Sequence, residues 1–162
     1  MSSFAEIVSR IGSNDPTLTT VDLSHYQVGV QGATELSQAL LTNTTLTAMN
    51  LGDNQIGDQG ATELSHALQT NTGLTTLYLF GNQIGDQGVT DLSQALEVNG
   101  TLTALDLFGN QITDQGVTEV CHALQTNMSL TKLMIYGNLI GAQGETELGN
   151  INPSRQVHLN IW

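Results

Sequence analysis

Residues 74–101 read LTTLYLFGNQIGDQGVTDLSQALEVNGT, and residues 46–73 before them read LTAMNLGDNQIGDQGATELSHALQTNTG. These two blocks of 28 residues are identical at 16 positions. Further units of the same kind begin at Leu18, Leu102 and Leu130. A fixed period between about 20 and 50 residues is typical of a solenoid, in which each unit buries its apolar face only against its neighbours. The period therefore predicts the fold of most of the chain.

Each unit contains two apolar periods in succession. Leu77 and Leu79 alternate with polar or aromatic residues, as in a short strand with one buried face. Ala61, Leu64 and Leu68 recur at helical spacing. The chain is therefore predicted to alternate strand and helix in an α/β arrangement.

The unit resembles the leucine-rich repeat, L-x-x-L-x-L-x-x-N-x-L, and its length and helical second half resemble the ribonuclease-inhibitor type of that repeat. One unit carries the pattern at Leu74, Leu77, Leu79, Asn82 and Ile84. The resemblance covers residues 18–161. It implies an α/β right-handed solenoid, the leucine-rich-repeat horseshoe, with parallel strands on the concave face and helices on the convex face. It does not imply a particular partner.

Three polar columns accompany the apolar pattern. Aspartates stand just before the helices, where a carboxylate can cap free N–H groups: Asp58, Asp86 and Asp114. Asparagines follow the helices, where this residue tolerates a left-handed C-cap: Asn71, Asn99 and Asn127. A second asparagine column is expected to turn inward and satisfy backbone groups after each strand: Asn54, Asn82, Asn110 and Asn138.

Both ends of the chain depart from the repeat as caps do. Phe4, Ile7 and Ile11 predict a helix that covers the first strand, and Val157, Leu159 and Ile161 predict a final strand reached two residues early. We expect one complete domain over residues 1–162. It divides into an N-terminal cap helix at 1–17, repeats at 18–145 and a C-terminal cap helix and strand at 146–162.

Residues 10–23, RIGSNDPTLTTVDL, resemble the opening of the tropomodulin C-terminal repeat domain. That domain caps actin filaments, so the resemblance implies actin binding.

Composition restricts the partners and the compartment. The net charge of −12 repels phosphate backbones, so nucleic-acid binding is not expected. No apolar run approaches a membrane span, and residues 1–10 lack the pattern of a conventional signal peptide. Cys121 is the only cysteine, which suits a reducing compartment. We expect a cytoplasmic protein, or one delivered into a host cytosol by a signal-peptide-independent route.

No catalytic or metal constellation emerges from the repeat. His66 and His122 share a helix column two units apart, about 16–20 Å, so they cannot share a metal ion. Gly57–Gly60 reads GDQG but lacks a phosphate-binding lysine. Cys121 takes a column otherwise filled by serine or glycine, which favours a spare thiol over a nucleophile. We expect no enzyme, no cofactor and no metal.

Aromatic residues break the repeat on the concave face of its C-terminal half. In L-x-L-x strands the x positions point away from the core. Adjacent strands lie about 4.8 Å apart, so Phe80, Phe108 and Tyr136 are predicted to form one continuous strip. The candidate binding residues are Tyr78, Phe80, Asp106, Phe108, Lys132, Met134, Tyr136 and Trp162. Such a strip fits a binding hot spot, the alternative being rings that only stack on each other.

Several functions remain open from the sequence. The main hypothesis is a monomeric, non-enzymatic module that binds a protein or peptide partner, possibly a basic one, through its concave face. The alternatives are an acidic inhibitor of a basic enzyme, similar to ribonuclease inhibitor, and actin binding similar to that of tropomodulin. A bacterial effector that acts on host proteins is a further alternative.

Overall fold

The computed structural model describes residues 2–151 and 158–160, which form six helices and six strands. In chain order these are α1 (Phe4–Gly12), β1 (Thr20–Asp22), α2 (Gly29–Leu40), β2 (Ala48–Asn50), α3 (Gly57–Leu68), β3 (Thr76–Tyr78), α4 (Asp86–Val98), β4 (Ala104–Asp106), α5 (Asp114–Thr126), β5 (Lys132–Met134), α6 (Ala142–Gly149) and β6 (His158–Asn160). The strands form one parallel sheet in sequence order, and each helix packs against the next. The predicted α/β solenoid is confirmed.

The strand register follows the 28-residue period until the last strand. Leu77 of β3 pairs with Met49 on one side and Leu105 on the other. Leu133 of β5 pairs with Leu159, only 26 positions later, so the last strand begins two residues early, as predicted. The flanking Val157 and Ile161 of that prediction lie outside the described residues.

The core is a stack of apolar rows contributed once per unit. In one unit Leu77, Leu79 and Ile84 are at most 1% exposed, and Leu92 and Leu96 of α4 at most 2%. Each such side chain contributes about 1.5–3 kcal/mol of apolar transfer free energy. Strand and helix of one unit each meet their equivalents in the next, so the core is continuous along the solenoid.

The inward asparagines satisfy backbone groups after the strands, as predicted, and they also connect neighbouring units. The amide Nδ2 of Asn82 donates to Leu51 O at 2.8 Å and to Phe80 O at 3.1 Å. Its Oδ1 accepts from the backbone N–H groups of Asn54 at 3.0 Å and Ile56 at 3.3 Å. Asn82 itself is 0% exposed. One buried side chain therefore satisfies four backbone groups in the turns after two strands.

The asparagines that follow the helices form a second ladder, and their predicted left-handed conformation is wrong. Asn99 has φ −77° and ψ 121°, which is extended. Its Nδ2 donates to Leu68 O at 2.7 Å, and its Oδ1 accepts from Leu102 N at 2.8 Å. Because the amide satisfies a carbonyl at the end of the preceding unit's helix, the backbone can continue directly towards its own strand.

The aspartate column also acts between units, so the expectation that each carboxylate caps its own helix is wrong. Asp58 lies inside α3, and its Oδ1 accepts from Gly85 N at 2.6 Å and Gly88 N at 3.0 Å, at the start of α4. Asp86 and Asp114 bond the next helix in the same way.

The first unit lacks this aspartate, because Val30 takes the equivalent position. Without that carboxylate, Gly57 N donates to Asn82 O and adopts φ +61°, where glycine is favoured.

The N-terminal helix extends the helix layer. The main packing partner of α1 is α2, not the first strand as predicted, and Ile11 is 1% exposed. The chain then turns at Asn14, at φ 55°, whose side chain donates to Thr42 O at 2.8 Å and accepts from Thr44 N at 2.7 Å. These contacts hold α1 on the first complete repeat.

An ion-pair network closes the same turn. Arg10 Nε donates to Asp15 Oδ2 at 2.7 Å, and Asp15 Oδ1 accepts from the N–H and the hydroxyl of Thr17 at 2.9 and 2.7 Å. The bonds from Thr17, followed by the contact with Arg10, lower the pKa of Asp15 to about 2. We call Arg10, Asn14, Asp15 and Thr17 the N-terminal clasp.

Asn82→Ala is expected to reduce the free energy of unfolding by about 3 kcal/mol or more, because it leaves several buried backbone groups without partners. Asn50→Ala is the matched control: the Asn50 side chain is half-buried, and among the described residues its Oδ1 accepts only from Gly52 N. This control should lose about 1 kcal/mol. Urea denaturation followed by circular dichroism measures both. Equal losses would contradict the structural role of the inward column.

Asp15→Asn is expected to destabilise the protein in a pH-dependent way. The folded-state pKa of Asp15 is lowered from 3.8 to about 2, so its stabilisation is complete above pH 4 and is lost as the pH falls towards 2. The urea midpoint of the wild type should exceed that of Asp15→Asn near pH 6, and the difference should shrink between pH 4 and 2. A constant difference over that range would show that the ionised carboxylate is not what stabilises the clasp.

Candidate protein-interaction surface

Seven of the eight predicted binding residues lie on one face of the sheet. Tyr78, Asp106 and Met134 occupy equivalent positions in β3, β4 and β5 and pair in register. They alternate with buried leucines, so they face away from the helix layer. Two positions after them stand Phe80, Phe108 and Tyr136, and Lys132 opens β5. Trp162 lies outside the described residues.

Two of the aromatic rings stack. The ring centroids of Phe108 and Tyr136 are 4.4 Å apart with an interplanar angle of 34°. Phe108 is 38% exposed, so the pair presents apolar surface to solvent even though the two rings pack against each other. Such a pair contributes about 0.5–1.5 kcal/mol beyond its burial. We call Phe108 and Tyr136 the aromatic pair.

The third ring lies apart, so the predicted continuous strip is wrong. A Cβ added at Gly52 would come within 2.0 Å of the Phe80 ring, which therefore lies over Gly52 towards β2. A Cβ added at Gly137 would come within 2.6 Å of the Phe108 ring, which therefore leans the other way, towards β5. Among the described residues no ring pair joins Phe80 to Phe108.

Two glycines lie against these rings, a role that was not predicted from the sequence. Gly52 and Gly137 leave space beside the strand ends, and each ring fills the space nearest to it. In the sequence Gly52 occupies the aromatic column one unit before Phe80, and Gly137 directly follows Tyr136. Glycines at these positions could have indicated where the rings lie.

Asp106 has a structural role that the sequence did not reveal. Its Oδ1 accepts from Phe108 N at 2.9 Å, which turns the chain at the end of β4. The same turn is closed by Asp22 with Ser24 N and by Asn50 with Gly52 N, both at 3.0 Å. Asp106 is 8% exposed, and burial raises the pKa of its carboxyl, against the opposing effects of the Phe108 N–H and the charge of Lys132.

Lys132 is exposed at the edge of this surface. Within the described part of the chain no carboxylate lies within 4.0 Å of its ammonium group, Asp106 included. The lysine therefore contributes a solvated positive charge whose field reaches Asp106.

The structure also places the histidine and cysteine side chains considered above for metal binding or catalysis. No group of three His, Cys, Asp or Glu side chains in this part could hold a metal ion. His122 Nδ1 lies 3.0 Å from Glu97 Oε1 in an exposed pair. Cys121 is half-buried, and burial together with the charge of Glu147 raises its thiol pKa to about 11. A thiol with so high a pKa is a poor nucleophile at neutral pH.

Of the described helices, none has the length and apolar character required to cross a bilayer.

Known structures share this architecture over most of the chain. A solved structure titled "Leiomodin-1 Actin-Binding Site 2 (ABS2)" superposes with a TM-score of 0.82 at 26% sequence identity, covering 96% of this chain and 90% of that one. The tropomodulin C-terminal domain of Caenorhabditis elegans superposes with a TM-score of 0.78 at 15% identity, covering 93% and 91%. The second similarity concerns the fold alone. No curated protein is similar enough in sequence to count as a match.

Family models give the same assignment. A general leucine-rich-repeat model matches residues 98–121. The model of the TMOD/LMOD leucine-rich domain matches residues 2–105, more than half of the 162 residues. The chain therefore belongs to the TMOD/LMOD leucine-rich domain family.

Proposed function

We propose that this chain is a non-enzymatic protein-interaction domain that binds actin through the concave face of its sheet. The observation that carries the proposal is the similarity to actin-binding site 2 of leiomodin-1, at 26% identity over 96% of the chain. The region aligned with that structure contains both the repeats that form the concave face and the N-terminal clasp.

The aromatic pair and Phe80 are the part of this face best suited to bind a protein. Aromatic side chains are enriched in interface hot spots because they bury a large area at a small cost in conformational entropy. Phe108 is one of the few large apolar side chains that the described residues expose on this face. Its ring is more exposed than any core side chain of the repeats, so we expect its truncation to cost less stability than a core truncation, and a stability measurement separates that cost from the effect on binding.

The N-terminal clasp supports the family assignment but not the location of the binding surface. Its arginine, asparagine and aspartate are engaged with the first repeat and with Thr17. Their sequence similarity to tropomodulin is therefore accounted for by the packing of α1. For this reason we place the binding surface on the concave face.

The inhibitor and effector hypotheses stay predictions, as do a basic partner, a monomeric state and a cytosolic location. The net charge of −12 would speed association with any positively charged surface and make that association sensitive to salt.

The double variant Phe80→Ala/Phe108→Ala is expected to bind monomeric actin at least about tenfold more weakly than the wild type, because it removes hot-spot rings. Titration of fluorescently labelled actin measures the affinity, and calorimetry should show a thermal midpoint only a few degrees lower.

Val98→Ala is the matched control for this experiment. Val98 is 67% exposed at the end of α4, in the helix layer, and its truncation should leave actin binding unchanged. Wild-type affinity in the double variant would place the actin surface elsewhere. Unfolding of the double variant would instead show that the rings are structural.

A further inference from the structure

Asp106 differs from the other carboxylate in its column. Asp22 of β1 closes the same turn but is exposed, whereas Asp106 is 8% exposed. The neighbours explain the difference: Asp106 pairs in register with Tyr78 on one side and Met134 on the other, and Phe108 follows it. Asp106 is thus a largely buried acidic group on the concave face, with a tyrosine and a methionine as its in-register neighbours.

Its carboxylate has little compensation inside the protein. Oδ1 accepts from Phe108 N, and within the described residues no donor bonds the second oxygen. No salt bridge to Lys132 forms within 4.0 Å in this part of the chain. Ser93 Oγ is the one fully buried side-chain polar atom without a partner among the described residues, so Asp106 Oδ2 still reaches solvent and is open to a cation. A largely buried carboxylate without an ion partner would bind such a cation favourably.

We propose that Asp106 and the adjoining aromatic surface of Phe108 form a recognition site for an arginine side chain of the protein partner. This inference rests on the proposed function. The guanidinium would donate to the second carboxylate oxygen of Asp106 and stack on the exposed Phe108 ring. Arginine fits better than lysine because its guanidinium is planar and weakly hydrated. It can donate several N–H groups to a carboxylate while it stacks on an aromatic ring.

Two further observations agree with this site. Burial raises the pKa of Asp106, which shows that the charged form is partly desolvated and would gain from a nearby cation. The chain has 15 acidic against three basic residues, so its field attracts a basic side chain over a long range. Lys132 acts against it as a competing positive charge on the neighbouring strand.

Three single substitutions test the site in the actin titration. Asp106→Asn removes the charge but keeps the turn, because Asn50 already closes the same turn with Gly52 N. It should weaken binding tenfold or more, the usual effect of losing a charge-assisted hydrogen bond. Lys132→Gln should strengthen binding by a few-fold. Asp22→Asn, the matched control, should change nothing.

A second measurement does not depend on actin. The Phe108 backbone N–H, which bonds Asp106, reports on the site in ¹H–¹⁵N NMR spectra. Titration with acetyl-arginine amide at constant ionic strength should shift this resonance in a saturable way. The neutral isostere acetyl-citrulline amide should not shift it, and neither probe should shift it in Asp106→Asn.

The outcomes separate the two proposals. Actin binding by the wild type with equal affinity in Asp106→Asn would overturn the arginine site and leave the proposed function intact. Absence of actin binding by the wild type would overturn the proposed function. The NMR titration would then show by itself whether Asp106 binds an arginine side chain. An equal response to arginine and citrulline amides, or a response retained in Asp106→Asn, would overturn the site.

Discussion

Buried asparagine amides that join consecutive units are the interaction on which the rest of the structure depends. In a solenoid of short strands, the turns at both ends of each strand leave backbone groups without partners in the apolar interior. Asn82 satisfies four such groups after the strands, and Asn99 does the same where the helices end. Since each amide reaches into the preceding unit, a change in unit length would leave backbone groups unpaired. The 28-residue period is thereby held constant.

The period predicted the fold and the register because it specifies which residues are equivalent. Even the early last strand was predictable, from the alternation around Leu159. Hydrogen bonds between units were not predictable. The repeat shows which residues are equivalent, but it does not show whether a side chain bonds within its own unit or to a neighbouring unit. Asn99 and Asp58 are each compatible with a local cap in their own unit, and both bond across units instead. The positions of the rings depend on space left by Gly52 and Gly137, which a linear pattern does not display.

The same framework explains where specificity resides. The leucines form the core, and the asparagines and aspartates form the hydrogen bonds between units. Few other positions can therefore vary without a loss of stability. On the concave face those positions hold an exposed aromatic pair and a buried acid, Asp106, whose turn could equally be closed by asparagine. Because an amide closes the equivalent turn at Asn50, we infer that the fold does not require a carboxylate at position 106, and we assign it to recognition. Actin is the partner that we propose, and these side chains are where we propose that it binds.

The most direct test is site-specific photocrosslinking to actin. p-Benzoylphenylalanine at position 108 conserves the aromatic character of the pair, and the same residue at position 98 is a control in the helix layer, at a side chain that is 67% exposed in the native protein. The account predicts that irradiation of the complex crosslinks actin from position 108 and not from position 98. Crosslinking from position 98 alone would contradict a concave binding surface.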